Sequence, residues 1–150
     1  MYAPRPTTGT VSVRVPARDI GVMMLRATVE ETALVAYSDA DCAAELGLIV
    51  EEVAHGLVDC AIDGSMFDCE LSCTDEVARV RLSATTRFPL DRDRCAVGWP
   101  IVDALTRDTR VTRSQFDRAG HGYFTAVDLD WQPAGSAIGP EINESRCDET

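Results

Sequence analysis

Residues 45–62 read ELGLIVEEVAHGLVDCAI, and their apolar side chains recur at spacings of three and four. This spacing predicts a helix with one apolar face. The residues of that face are Leu46, Ile49, Val50, Val53, Leu57 and Cys60. Because each helical residue advances by about 100°, Glu45, Glu52 and Gly56 fall along one border of the face. An acidic side chain and a bare backbone position there leave room for a pocket, although an ordinary amphipathic helix with acids on its wet side has the same pattern.

The composition is that of a small acidic globular protein. A chain of 150 residues is enough for one domain with a core, and 45% hydrophobic with 26% charged residues is ordinary for a globular protein. The net charge of −11 disfavours nucleic acid, because phosphate would be repelled. It suits a basic protein partner, or it only keeps the chain soluble. All 14 basic residues are arginine, which excludes a lysine-based mechanism.

Six cysteines raise the question of disulfides or a metal site, and their pattern favours buried thiols. They lie at positions 42, 60, 69, 73, 95 and 147, without a CxxC pair. Cys42 and Cys60 fall on or near an apolar helix face, and Cys69 and Cys73 share one face of a predicted strand, as small core residues do. Without an N-terminal signal pattern or an apolar run of membrane-spanning length, a cytoplasmic protein is expected.

Two elements are predicted before the 45–62 helix. The alternation from Thr10 to Val15 predicts a half-buried strand. Ile20 to Tyr37 is predicted as a helix with Asp19 as its N-cap. The residues predicted to face inward are Val22, Leu25, Val29, Ala33 and Ala36, and those predicted to face outward are Arg26, Glu30 and Glu31. The stretch 38–41 is expected to end this helix and to cap the next.

Two alternating runs, 67–73 and 78–85, surround a short polar turn and predict an antiparallel hairpin. The apolar positions are Phe67, Cys69, Leu71 and Cys73 in the first run and Ala78, Val80, Leu82 and Ala84 in the second. The acids and arginines of the other face are Asp68, Glu70, Arg79 and Arg81. If they pair across the hairpin, each pair adds a few tenths of a kcal/mol and helps to set the register.

The remaining segments complete one α+β domain over residues 10–131. They are a polar loop at 87–95, a helix at 99–106 with Pro100 in its first turn, a brief strand at 111–113 and a final strand at 123–131. Residues 1–9 are predicted to be a flexible lead and 132–150 an acidic, disordered tail. Strands that meet as hairpins, with helices grouped between them, predict a two-layer sandwich in which the helices cover one face of a mixed, mostly antiparallel sheet.

Two stretches resemble a known family, the ATPase-like domain of bacterial anti-sigma factors. IVEEVAHGLVDCA, residues 49–61, is similar to the family's glutamate-and-asparagine helix, and VGWPIVDALTRDTRV, residues 97–111, to its glycine-led helix and following strand. The superfamily includes histidine-kinase ATP-binding domains and heat-shock 90 chaperones. The resemblance covers about residues 10–131 and implies a Bergerat-type ATPase-like fold with about three helices.

The family's helix carries a glutamate that orients water or a hydroxyl, followed four positions later by an asparagine that binds Mg²⁺. Glu52 matches the glutamate, but Gly56 stands at the asparagine position. A glycine has no side-chain ligand, and Mg²⁺ requires near-octahedral oxygen coordination. His55 lies on a different face, and Asp59 could replace the asparagine only if the helix shifted.

The family's other two motifs are also incomplete here. If Phe88 is placed on the family's aromatic residue, Ser83 takes the place of the aspartate that accepts from adenine and Thr85 that of the glycine that admits the base. Serine lacks the charge, so weaker adenine recognition is implied. Of the glycine-rich phosphate-binding lid only Gly98 remains, and Pro100 removes one backbone donor.

Because all three altered motifs serve the same ligand, the resemblance implies a fold kept after its nucleotide function weakened. The expected function is an anti-sigma-factor-like regulatory protein of a bacterial stress response. It would bind a sigma factor, an anti-sigma antagonist or both, with Mg-ATP bound weakly or not at all. The alternative is an ATP-dependent serine kinase that phosphorylates the antagonist with Glu52 as general base. A third reading is a signalling domain that binds another ligand in the old pocket. The relatives also imply a homodimer face within residues 11–37.

Overall fold

The computed structural model describes residues 9–90 and 98–133, and within them the chain forms five strands and three helices. The elements in chain order are β1 (Thr10–Pro16), α1 (Asp19–Tyr37), α2 (Ala40–Cys60), β2 (Met66–Cys73), β3 (Ala78–Thr86), α3 (Trp99–Leu105), β4 (Asp108–Asp117) and β5 (Gly122–Trp131). The predictions for residues 1–8, for the loop residues 91–95 and for the tail from 134 onward lie outside the described residues.

The strands form one sheet in the order β1-β2-β3-β5-β4. Each pair of neighbours is antiparallel, whereas a mixed, mostly antiparallel sheet was predicted. The sheet is antiparallel throughout because of the connection between β3 and the last two strands. The chain leaves β3, passes through α3 to the outer strand β4, and returns as β5 between β4 and β3, so that β5 runs antiparallel to both. The predicted α+β two-layer sandwich is confirmed.

The helices cover one face of this sheet, as the alternation in the hairpin predicts. The side chains that point toward the helices and are buried include Phe67, Cys69, Leu71, Cys73, Ala78, Val80, Leu82 and Ala84. The opposite face carries charged and exposed side chains, among them Arg14, Asp68, Glu70, Arg79 and Arg81. The four cysteines in the described part of the chain are buried, as predicted, whereas Cys95 and Cys147 lie outside it. Burial raises the pKa of the Cys69 thiol to about 12.

The ion pairs on the open face of the sheet differ from the prediction. Arg81 Nη1 lies 3.0 Å from Asp128 Oδ2, and Arg79 Nε lies 3.6 Å from Asp130 Oδ1. Both aspartates belong to β5, so the arginines of β3 pair with that strand rather than with the acids of β2. Glu70 is the register partner of Arg81 on the β2 side, but the guanidinium turns the other way. A central strand has two neighbours, and the hairpin pattern alone considers only one.

The starts of both long helices also differ from the prediction. α2 begins at Ala40 rather than at Glu45, because the carboxylate of Asp39 accepts from two backbone N–H groups of the first turn, at 2.9 and 3.2 Å. The cap predicted for residues 38–41 is thereby confirmed. In α1, Arg18 is the N-cap and makes no side-chain capping bond, while Asp19 is the first helical residue. A carboxylate in the first turn still interacts favourably with the helix dipole.

The outer face of α1 is less charged than predicted. Arg26 donates from Nε to Glu30 Oε1 at 2.7 Å, and it also pairs with Glu51 of α2. These two charged side chains therefore turn along α1 toward α2 and are half-buried. Of the three residues predicted to face outward, only Glu31 is exposed.

The C-terminal elements agree with the predictions except in β4. α3 starts at Trp99 with Pro100 in its first turn, and β5 ends at Trp131 as expected. β4 spans ten residues instead of three. A register shift between Arg113 and Phe116 interrupts its alternation, which removes the period of two that a sequence reading depends on. In the part of the chain that the structure describes, no helix combines the length and apolar character needed to cross a membrane.

Candidate functional site

The border of α2 that carries Glu45, Glu52 and Gly56 faces β5 and the start of α3. Glu45 Oε2 accepts a hydrogen bond from the Trp131 indole Nε1 at 2.7 Å. Glu52 lies against Gly98, which directly precedes α3. The three positions therefore share one border, as the periodicity predicts, but each has a different neighbour.

Glu52 and Gly98 are in close contact. A Cβ added at Gly98 would stand 2.8 Å from Glu52 Cδ and 3.0 Å from Glu52 Cγ, closer than nonbonded carbon atoms approach. Gly98 also has a positive φ of 29°, in the region that favours glycine. A side chain at position 98 would therefore displace the carboxylate. The structure thus brings together two of the predicted site residues, which lie far apart in the sequence.

Gly56 lies one helical turn beyond Glu52 and is buried. The side chain of Leu90 lies above it, with Cδ1 3.9 Å from the point where a Cβ would stand. Where the family places an amide oxygen for a metal, this chain therefore has an open backbone position below an aliphatic side chain. Carbon cannot replace the oxygen ligand that Mg²⁺ requires.

The acidic and imidazole groups near Gly56 do not replace the missing ligand. His55 lies on the Glu51 side of α2, with Nε2 3.8 Å from Glu51 Oε1, and Asp59 is exposed. Among residues 9–90 and 98–133, no three or more His, Cys, Asp or Glu side chains are grouped so that they could hold a metal ion. The described residues around Gly56 do not fit a Mg²⁺ ion coordinated as in the family.

The structure does not bring Ser83 and Thr85 to this border. Both lie on the side of β3 that faces away from the helices, because the side chains next to them in the strand point toward the helices; Ser83 is nevertheless buried there, and Thr85 is partly exposed. Ser83 Oγ donates to the carbonyl of Asp68 at 3.5 Å, and the Thr85 N–H donates to Ser65 Oγ at 3.1 Å. The sheet itself separates these residues from Glu52. The alternation of the hairpin already grouped them with the outward arginines, so the proposed alignment of the adenine motif conflicted with the strand pattern.

The sequence pattern did not predict a buried pair of hydroxyls on the side of the sheet that faces the helices. Thr86 and Thr125 are both fully buried, and their Oγ1 atoms lie 2.9 Å apart. Thr86 also forms a bridge with Ala61, directly after α2. These hydroxyls are therefore the polar groups of β3 and β5 at the end of the layer where α2 ends. Extending the β3 alternation by one position would have placed Thr86 inward.

Comparison with known proteins adds no family at this point. No protein-family model matches the chain, and no match is found among curated proteins.

Proposed function

We propose that this chain is an anti-sigma-factor-like regulatory protein that binds a sigma factor, an anti-sigma antagonist or both, with Mg-ATP binding weakened or lost. The observation that carries the proposal is the border of α2, where Glu52 rests on the backbone of Gly98 and Leu90 lies above Gly56. Binding to another protein requires a surface rather than a metal ligand, so it survives the loss of the asparagine. A cytoplasmic location belongs to the same proposal.

The alternative is an ATP-dependent serine kinase that acts on the antagonist, with Glu52 as general base. The observation in its favour is that Glu52 and Gly98, one from each of the two stretches that resemble the family, are in contact. Against it stands the poor fit of Gly56 and its neighbours to Mg²⁺. The two functions differ in what they require of the nucleotide.

Titration with Mg-ATP separates the two functions. At a hundredfold excess over its dissociation constant, a ligand that binds only the folded state stabilises it by about 2.7 kcal/mol, which thermal unfolding detects readily. We expect no shift for the natural chain at millimolar Mg-ATP, and none for Gly56→Ala. A clear shift for the natural chain would favour the kinase. Gly56→Asn restores an amide oxygen where a Cβ makes only ordinary contact with Leu90, and it is expected to bind more tightly than Gly56→Ala.

A pull-down tests the binding function directly. The tagged full chain is incubated with the purified sigma factors and anti-sigma antagonists of its own cell, with and without Mg-ATP. We expect at least one of them to be retained in both conditions. If none is retained in either condition, the proposed function is wrong, whatever the nucleotide titration gives.

A further inference from the structure

The solvent side of α1 carries large apolar side chains near both ends of the helix, with Glu31 between them. Its exposed large hydrophobic residues are Ile20 (50%), Met23 (68%), Met24 (47%), Leu34 (40%) and Val35 (76%). At 3.6 residues per turn these side chains, together with the exposed Ala27, fall on one side of the helix, opposite the buried Val22, Leu25 and Val29. We call Ile20, Met23, Met24, Ala27, Leu34 and Val35 the α1 face. A helix that is apolar on both sides is typical of a buried helix rather than of a surface one.

The polar groups of α1 increase the apolar character of this face because they bond elsewhere. The hydroxyl of Thr28 donates to the Met24 carbonyl at 2.8 Å, and that of Thr32 to the Thr28 carbonyl at 2.7 Å. Arg26, the only basic residue between positions 20 and 35, is held by acids of α1 and α2. Glu31 is the remaining charged side chain on this side of the helix between those positions.

A groove continues the α1 face onto the sheet. A cavity of about 440 Å³ lies between the C-terminal half of α1 and β1, with Val11, Glu31, Val35 and Ala36 in its lining. β1 is the edge strand, and Val11 is 38% exposed on its helix side. The apolar surface thus runs along α1 and into a groove that has a carboxylate in its wall. Monomeric soluble proteins rarely leave contiguous apolar patches of more than a few hundred Å² uncovered.

We infer that the α1 face binds an amphipathic helix of a partner protein, with the partner's apolar stripe on the α1 face and basic side chains beside Glu31. Helix-on-groove recognition uses apolar anchors at spacings of three and four, which is how the α1 face is arranged. α1 has 19 residues, and five turns of a partner helix, about 27 Å, would span it. The inference rests on the proposed function, in which this helix would belong to the sigma factor or the antagonist.

Charge favours a basic partner over a second copy of this chain. A second copy would bring another net charge of −11 to the interface. A symmetric α1–α1 contact would also bury two Glu31 carboxylates, while the only basic residue of each helix between positions 20 and 35 is already engaged by Glu30 and Glu51. A basic helix supplies the cation that this contact lacks.

The test uses a synthetic leucine–lysine peptide of about five helical turns with one apolar stripe. A leucine–glutamate peptide of the same pattern is the charge control. Binding to the full chain is measured by fluorescence anisotropy for the natural protein and for the double variant Met23→Glu, Val35→Glu. These are the two most exposed residues of the face, so both variants should fold, and circular dichroism checks this. The matched control variant is Ile101→Glu, Phe124→Glu, whose exposed apolar side chains lie on α3 and on the open sheet face.

We expect the basic peptide to bind the natural chain and the control variant alike, and the α1 double variant at least about tenfold more weakly. The added glutamates make the protein more acidic, so mere attraction of opposite charges would strengthen binding. The acidic peptide should not bind. Equal binding to all three proteins would overturn the inference. It would also be overturned if the peptide failed to bind and sedimentation showed a dimer of the natural chain that the α1 double variant could not form, because the occupant would then be a second copy.

The failure of this inference is distinguishable from that of the proposed function. If a sigma factor or antagonist is retained equally by the natural chain and by Met23→Glu, Val35→Glu, the function stands and the α1 face is not its binding surface. If the basic peptide binds as expected but no sigma factor or antagonist is retained, the binding surface stands and its natural partner belongs to another class of protein.

Discussion

Replacing Gly98 with alanine tests the contact on which the interpretation of the α2 border depends. Two effects add. A left-handed backbone costs an L-residue about 1–2 kcal/mol, and Gly98 has a φ of 29°. In addition, the new methyl carbon would lie 2.8 Å from Glu52 Cδ, and forcing a neighbouring side chain out of place costs about 1–3 kcal/mol. We expect Gly98→Ala to lower the free energy of unfolding by about 2–5 kcal/mol.

Two further variants separate these effects. Gly64 also has a positive φ, 80°, but nothing lies within 4 Å of an added Cβ, so Gly64→Ala measures the backbone cost alone, about 1–2 kcal/mol. Glu52→Ala in the Gly98→Ala background removes the colliding side chain and should return the loss to that level. Urea unfolding is followed by far-ultraviolet circular dichroism and by tryptophan fluorescence, in which Trp99 is a local reporter of the junction. If the effects of Gly98→Ala and Glu52→Ala are additive within about 0.5 kcal/mol, the two residues are not in contact and the reasoning is refuted.

Three other predictions concern stability and are checked by urea unfolding. Gly56→Ala should stabilise the chain by about 0.5–1 kcal/mol, because Gly56 lies inside a helix with room for a methyl group. Gly47→Ala in the same helix should destabilise the chain by about 1 kcal/mol or more, because a Cβ there would meet a glutamate of α1 at 2.5 Å. If Gly47→Ala were the more stable of the two variants, the geometry would be contradicted. Trp131→Phe should cost about 1–3 kcal/mol through the lost bond to Glu45, and a loss under about 0.5 kcal/mol would count against that bond. Burial raises the pKa of Cys69 to about 12, so as pH rises its thiol ionises first in the unfolded chain. Its contribution to the free energy of unfolding is therefore complete below about pH 9 and declines as pH rises toward 12, by at most about 1.4 kcal/mol per pH unit. Cys69→Ala should make this decline less steep, and an unchanged slope would refute the prediction.

Much of the fold was predictable because it depends on local periodicity. Alternation over 67–73 and 78–85 identified the hairpin and the side chains that it buries. Spacings of three and four identified α2, but residues 40–44 were missed, because Asp39 starts the helix before its apolar pattern begins, and the helix ends at Cys60 rather than at Ile62. β4 was underestimated for the opposite reason, since a register shift disturbs its alternation. Local patterns predict helices and strands well where buried and exposed positions alternate with a regular period.

The candidate site was predictable only in part. The helix period placed Glu52 and Gly56 on one border of α2, but no spacing in the sequence could place Leu90 above Gly56. Ser83 and Thr85 were assigned by aligning one aromatic residue, and that assignment conflicted with the strand period, which puts them on the open face. The α1 face was overlooked because Arg26 and Glu30 were assigned to solvent, when their ion pairs turn them toward α2.

The amino-acid sequence by itself determined which segments become helices and strands and which side of each is buried, because these depend on neighbours within a few residues. The tertiary structure decided which borders meet: Glu52 with Gly98, Glu45 with Trp131, and the arginines of β3 with the aspartates of β5. These contacts join residues from separate elements, and their geometry depends on how helices and strands pack. For the α2 border with which the sequence analysis began, periodicity predicted a shared position for an acid and a glycine. Packing determined that the acid rests on a backbone and the glycine lies beneath a leucine.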